Sequence, residues 1–178
     1  MIDKGRYEQE LKKIYRQFNA QELIYTQAKW MAYLKSDTAG IVTGTSTAVP
    51  WGLTNYDCLG IGISQNYGFV CPWKGLYFVI VYLQYGDTLA DHTYQTRLFR
   101  NAGKRRHLGR VRGEGQGRFV GSPGGCIIEA DRADELIAHA FHQDGTNNPI
   151  LEGGSVYESS MTVHLLSRQC PATDAEPN

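Results

Sequence analysis

The chain has 178 residues, with 18 Lys and Arg balanced by 18 Asp and Glu. That length suits one domain plus a small appendage, able to bury most of its surface without a disulfide or metal staple. A net charge of zero removes the whole-molecule electrostatic case for nucleic acid or an anionic membrane, so either role would need a local patch. The longest apolar run, Leu76 to Leu83, is eight residues, against roughly 20 for a bilayer-spanning helix. A soluble protein without a membrane partner is expected. The start, Met1-Ile2-Asp3-Lys4-Gly5, lacks the basic region, apolar core and cleavage site of a signal peptide, so synthesis in a cytoplasm is expected as well.

Only one glycine, Gly5, and no proline falls in residues 1–39, so that segment can run as helix. Tyr7, Leu11, Ile14 and Phe18 follow a 4-3-4 spacing that places them on one helical stripe. Asn19 with Glu22 three residues on reads as an N-cap restarting a second helix that carries Leu23, Trp30 and Leu34. Neither short helix can bury its stripe alone, so this arm packs on its own domain, self-associates or docks on a partner. The expected organisation is an arm over 1–39, a head over 40–168 and a flexible tail over 169–178.

From Gly40 onward the pattern changes to short β-rich runs. They are Ile41 to Thr43, Ala48 to Leu53, Gly60 to Ser64, Tyr67 to Cys71, Gly75 to Gln84, Thr93 to Arg100, Arg118 to Val120, Gly125 to Glu129 and Val156 to Leu166. Turn residues at Tyr85-Gly86-Asp87, Asn101-Ala102-Gly103, Asp144-Gly145 and Gly153-Gly154 separate them at intervals typical of sandwiches and barrels. An all-β head follows, with no βαβ alternation to build a cofactor crevice. No cofactor is expected.

The run Leu76 to Leu83 is apolar on both faces: Tyr77, Val79, Val81 and Leu83 on one, Leu76, Phe78, Ile80 and Tyr82 on the other. An antiparallel sandwich strand normally has one solvated side, so this one needs a second cover. A neighbouring copy of the chain is the natural supplier, with the N-terminal segment folding back as the alternative. The four cysteines, at 58, 71, 126 and 170, form no C-x-x-C pair and no zinc rhythm, and are read as free or incidental thiols.

The stretch Tyr67-Gly68-Phe69-Val70-Cys71-Pro72-Trp73-Lys74-Gly75-Leu76-Tyr77 resembles the signature of the tumour-necrosis-factor-like superfamily in its complement globular-head branch. Thr96 to Gly103 resembles that family's strand ending in an Asn/Gly turn. Cys126 to Ala140 resembles its strand pair around a Gly-Asp turn, with Ala133-Asp134 in that place, and Ser160 to Leu166 resembles its closing strand. The resemblance covers roughly residues 48–166. It implies a ten-strand jelly roll assembling as a homotrimer, with the aromatic-rich and closing strands near the threefold axis. The interface residues expected on this basis are Tyr77, Val79, Val81, Leu83, Phe141 and His164. A binding or structural module is implied, not a catalyst.

A trimeric β-head made without an export signal matches the way virion surface proteins are produced. The first expectation is therefore a phage or viral structural protein, located on the virion: a capsid decoration, head-fibre or tail-associated knob that serves host attachment. Tyr7, Leu11, Ile14 and Phe18 would fix it to the major capsid or another virion protein. The alternative is a recognition module, an adhesin or ligand-like head whose loops bind a host receptor or glycan. A metal-dependent intracellular enzyme is the third reading: Glu135, His139 and His142 would stack on one face of a helix but separate in a strand. His164 is read as a core or interface histidine, and His92 and His107 as solvated near turns.

Gly113-Glu114-Gly115-Gln116-Gly117 has neither the lysine nor the following helix of a phosphate loop, and no G-x-S-x-G elbow exists. The main local charge feature is Arg100, Lys104, Arg105, Arg106, Arg110, Arg112 and Arg118, opposed there only by Glu114. It reads as a solvated strand pair and loop or as a grip for an acidic surface. Phe119 is the one aromatic between 100 and 120, which disfavours stacking on single-stranded nucleic acid.

Overall fold

Alternating aromatic and β-branched residues over most of the head favour extended chain, and the computed structural model shows strands throughout. It describes residues 28–38, 40–101, 103–113, 118–143, 148–155 and 158–168, without the side chains of Lys104 and Arg118. The stripe of Tyr7, Leu11, Ile14 and Phe18, the Asn19 cap and the tail lie outside the described residues. In chain order the strands are β1 (Lys29–Tyr33), β2 (Thr47–Ala48), β3 (Leu53–Asp57), β4 (Phe69–Val70), β5 (Gly75–Thr88), β6 (Thr93–Arg100), β7 (Lys104–Arg112), β8 (Arg118–Ala130), β9 (Glu135–His142), β10 (Ile150–Leu151) and β11 (Ser160–Arg168). That is eleven, where ten were expected.

Among the described residues the strands pair antiparallel. One sheet runs β10-β5-β11-β1-β3 with β8 also on β5; the other runs β2-β9-β6-β7 with β4 also on β9. The two sheets face each other across a core that includes Trp30, Phe69, Tyr77, Val79, Leu83, Tyr85, Tyr94, Leu98, Leu136, Met161 and Val163. No helix among the described residues is long and apolar enough to cross a membrane.

The second expected helix is not formed at its C-terminal end. Lys29–Tyr33 is a strand, paired with β11 on one side and β3 on the other. Trp30 and Ala32 are fully buried while Lys29, Met31 and Tyr33 are half-buried, a period of two. Trp30 has the bulk to close the core against Phe69, with ring centroids 5.5 Å apart, and its indole N–H donates to the Gly62 carbonyl at 2.9 Å. Tertiary packing overrides the local helical pattern here, and the sheet of the head starts at Lys29, not at 40.

Other expected boundaries move for local reasons. Ile41 to Thr43 and Gly60 to Ser64 are loops; the latter is held by the Asp57 carboxylate, which accepts from the Ile61 amide at 2.9 Å and also from the Leu59 and Gly62 amides. Tyr85-Gly86-Asp87 does not end a strand: it is a bulge, with Asp87 at φ 54°, and β5 continues to Thr88. Arg118 to Val120 and Gly125 to Glu129 are one strand, β8.

The β8–β9 turn carries Ala133 at φ 69°, in the left-handed region that favours glycine. The Ala133 amide donates to the Cys71 carbonyl at 2.8 Å, and the Asp134 carboxylate accepts from the Asp131 amide at 2.8 Å and from Asn101 Nδ2 at 2.7 Å. The turn is thus held in place by its neighbours despite the strain.

Two stability measurements follow. Trp30→Ala should lower the unfolding free energy by about 3 to 5 kcal/mol in urea titration, because it empties a fully buried site; a helical arm outside the head would leave stability unchanged. Ala133→Gly should raise stability by about 1 kcal/mol by relieving the positive φ, read in the same titration; a loss would show that the Ala133 methyl group contributes more than the strain costs.

Candidate functional site

The two faces of β5 meet different surroundings. Tyr77, Val79, Val81 and Leu83 point between the sheets and are fully buried, while Leu76, Phe78 and Ile80 on the opposite face remain 37%, 36% and 43% exposed. The neighbours in register extend that open face: Phe78 lies between Ile127 of β8 and His164 of β11, and Ile80 between Gly125 and Thr162. Ile127 is itself 54% exposed. The result is an apolar strip along the middle of a sheet whose outer side would ordinarily be polar.

This corrects four of the expected interface residues. Tyr77, Val79, Val81 and Leu83 have no surface left to offer another copy, because the second sheet already covers them. Phe141 is also displaced. It lies on the outer side of β9, 6% exposed, with the Arg97 guanidinium 3.3 Å from its ring centroid. His164 alone of the six stands on the open face of the larger sheet, where its Nε2 is 3.1 Å from the Tyr56 hydroxyl. Burial holds its pKa below the ordinary histidine value, and the Lys29 charge adds to the effect.

On the outer side of the smaller sheet is a cavity of about 480 Å³, walled by residues that include Tyr67, Phe99, Glu135, Ile137 and His139. Tyr67 stands at its rim with φ 63°. Ser64 fixes that conformation: its hydroxyl accepts from the Asn66 and Gly68 amides at 3.2 and 2.8 Å, and its carbonyl from the Tyr67 amide at 3.0 Å. The Glu135 carboxylate is engaged by the Ser64 hydroxyl and by Asn66 Nδ2, so it is not a free acid or base. His139 packs on Phe99 with ring centroids 4.2 Å apart; burial lowers its pKa, a hydrogen bond to the Ser46 backbone opposes this, and Arg97 lowers it further. Its Nδ1 is buried without a partner.

The arrangement separates the residues of the metal reading. Along β9, Glu135 and His139 face outward while His142 points into the core, where its Nε2 lies against the Ile41 carbonyl. Among the described residues no group of three His, Cys, Asp or Glu side chains is placed to hold a metal ion. Cys71 is buried and free, its thiol pushed up to about 12 by burial and then by the Asp134 charge, which leaves little thiolate for nucleophilic work. Cys58 and Cys126 are free as well.

The basic stretch is mostly strand. Lys104 to Arg112 form β7, paired along its length with β6. The register sets Arg105 opposite Phe99, His107 opposite Arg97, Arg110 opposite Gln95 and Arg112 opposite Thr93, with a bulge at Leu108. Arg105, His107, Arg110 and Arg112 therefore share the outer face. His107 is mid-strand rather than near a turn. Arg106 points the other way and donates to the Ile127 carbonyl at 3.2 Å, and Arg100 bonds the Glu129 carbonyl at 2.9 Å. The expected basic patch is thus split between two sides of the sheet. Arg97, which the sequence pattern did not single out, joins the outer group from β6.

No family model matches the sequence, and a search of curated proteins finds no match. Comparison with solved structures is more informative. The globular domain of zebrafish complement 1qA protein superposes with TM-score 0.57 at 10% identity over 80% of this chain and 99% of that one. Eiger TNF from S. frugiperda gives TM-score 0.58 at 12% identity, covering 84% of this chain and 97% of that one. Murine APRIL gives TM-score 0.54 at 12% identity, covering 79% of this chain and 100% of that one. The fold is a tumour-necrosis-factor-like jelly roll. At these identities the likeness speaks for architecture. It also corrects the expectation of a virion structural protein located on the virion: the matched structures named above are a complement globular head, a TNF and APRIL, and the phage and virion assignments fall with that finding.

Two half-buried histidines set a pH dependence. His139 and His164 both have folded pKa values below the ordinary value, so the unfolded chain binds more protons once the pH falls below about 6.5. Their stabilisation is complete above that pH and is lost progressively on acidification. Glu152, raised by burial and then by Asp37, Glu158 and Asp87, acts in the opposite sense, but around a lower pH. The melting temperature should fall between pH 7.5 and 5.5, and His164→Asn should reduce the fall; a flat profile in the unaltered protein would contradict the assignment.

Proposed function

We propose that this protein is a non-enzymatic recognition module that works as a homotrimer, each copy shielding the open apolar strip of another and presenting its outer loops and the face of its smaller sheet to a ligand. The observation that carries this reading is the strip itself. Leu76, Phe78, Ile80 and Ile127 stand between one-third and just over one-half exposed in the middle of a sheet, with the chain's own second sheet on the other side. Covering what remains of each contributes about 1 kcal/mol, a substantial sum over three copies. The tumour-necrosis-factor-like fold supports the same arrangement, because the family resemblance implies a threefold assembly around this sheet.

Recognition rather than turnover fits the chemistry of the other face. Its carboxylate, Glu135, is held by Ser64 and Asn66, its histidine packs on Phe99, and the surrounding cavity is walled partly by apolar groups. Such a surface binds through shape and a few fixed polar groups.

Sedimentation or light scattering should give a three-chain mass at micromolar concentration. Phe78→Asp with Ile80→Asp should yield a single-chain mass and an unchanged β-type circular dichroism spectrum, since both sites lie on the open face. Val79→Asp, one residue away, should unfold the chain by placing a charge in the core. A monomeric unaltered protein, or a trimer indifferent to the double substitution, would overturn the reading.

A further inference from the structure

Arg97 presents an electrostatic problem that the described residues do not solve. Its side chain is buried, 6% exposed, and its partners are neutral: Nε and Nη2 donate to Gln95 Oε1 at 3.1 and 2.9 Å, Nη1 donates to Ser46 Oγ at 2.6 Å, and the guanidinium covers the Phe141 ring. Among the described residues no carboxylate is within ion-pair distance of it. A buried charge is ordinarily paired, and one that is not raises the local potential.

The neighbours raise it further. Across the strand pair, the Leu108 bulge shifts the side-chain alternation by one, so that Arg105 and His107 before it and Arg110 and Arg112 after it all face the side where Arg97 lies. Arg105 and Arg110 are exposed, and the carboxylate near Arg112, that of Asp91, is 3.8 Å away with both groups widely solvated. Burial lowers the His107 pKa, and the charges of Arg97 and Arg105 lower it more. The same Arg105 charge, after burial, lowers that of Arg97. An open cleft lined by Gln95, His107, Leu108, Gly109 and Arg110 lies along the row.

We propose that this row of guanidinium groups, with Arg97 at its base, is the binding site for a sulfated polysaccharide. Seven residue steps separate Arg105 from Arg112, about 23 Å along the strand, a length suited to a linear polyanion and not to a single small anion. Guanidinium forks engage oxyanions in paired hydrogen bonds. Single-stranded nucleic acid would need open aromatic rings along the row, whereas the two rings beside it are taken up, Phe141 under Arg97 and Phe99 against His139. An acidic peptide taken up as an added strand would lie along the open edge of β7, whereas Arg105, Arg110 and Arg112 project from the outer face of the sheet. The proposal deepens the recognition-module reading and rests on it for its biological sense, but the site lies on the smaller sheet, away from the assembly face.

The test uses the full chain and fluorescent dextran sulfate, followed by polarisation, with uncharged dextran, polyglutamate and an oligo-dT strand as competitors. Dextran sulfate should bind at 50 mM NaCl and weaken roughly tenfold or more by 200 mM, with the other three competing poorly. Arg105→Gln with Arg110→Gln should reduce affinity at least tenfold while solution mass and melting temperature stay unchanged. Arg106→Gln, on the opposite side of the strand, should leave affinity within twofold. Arg97→Gln should also weaken binding; if it fails to fold, the surface pair decides. No binding at low salt, equal effects of Arg106 and Arg105/Arg110 substitution, or preference for polyglutamate or oligo-dT would each overturn the proposal. The trimer mass measured alongside separates that failure from a failure of the assembly reading.

Discussion

The strand Gly75–Thr88 has to satisfy two apolar faces at once, and most of the molecule is arranged around that requirement. It is hydrogen-bonded on one side to β8 and on the other to β11 and β10, so it cannot sit at an edge. Its Tyr77, Val79, Val81, Leu83 and Tyr85 side chains close the core, and the Tyr85 hydroxyl even spans the sandwich to donate to the Gln95 carbonyl at 2.6 Å. Once that set is taken inward, pleating leaves Leu76, Phe78 and Ile80 outward with no choice in the matter. An intramolecular cover would need another layer, and the described strands supply none on that side. Self-association is the simplest way to complete such a structure.

The smaller sheet shows how a modest irregularity can gather charge on one face. Were Leu108 paired in regular register instead of bulged, Arg110 and Arg112 would project to the opposite side from Arg105 and His107, and the positive charges would be spread over both sides of β7. Close contact between β7 and β8 accompanies the bulge: a Cβ on Gly109 would run into the Pro123 carbonyl, and one on Gly124 into the Leu108 backbone. Glycine is required at both places so that the two strands can approach where they leave the sandwich corner. The geometry that shapes the basic row is therefore part of the scaffold.

Catalytic groups are placed on different principles in this molecule. Cys71 is buried with its thiol protonated, Glu135 is fixed by hydrogen bonds from two neighbouring side chains, and the histidines of β9 stand on opposite sides of their strand. None of these pairs a nucleophile with a base within reach. What the two outer faces offer instead is area: an apolar strip on one and a charged row beside a partly apolar cavity on the other. A protein that uses one face to multiply itself and the other to bind would gain avidity from three identical sites.

Much of the architecture could be read along the chain. The turn residues and the short β-rich runs identified an all-β head, because strand alternation and turn chemistry are local properties that survive folding, and the resemblance carried by the Tyr67 to Tyr77 block implied the jelly roll. The two-faced character of Leu76 to Leu83 was equally plain. Which face would be open was not, because burial depends on the partner across the sandwich. The alternation of Met161, Val163 and Leu165 with Thr162 and His164 carries that information only when β11 is known to align Val163 with Val79. Trp30 looked helical because Asn19 and Glu22 read as a cap and Leu23, Trp30 and Leu34 as one side of the helix that follows, and only the position between β11 and β3 makes it a strand residue. Arg97 looked unremarkable in a β run and gains its character from its burial among neutral partners, with no carboxylate among the described residues within ion-pair distance. Local periodicity belongs to the sequence; register, burial and uncompensated charge belong to the folded sandwich, since each is a relation between residues that meet only when distant strands pair.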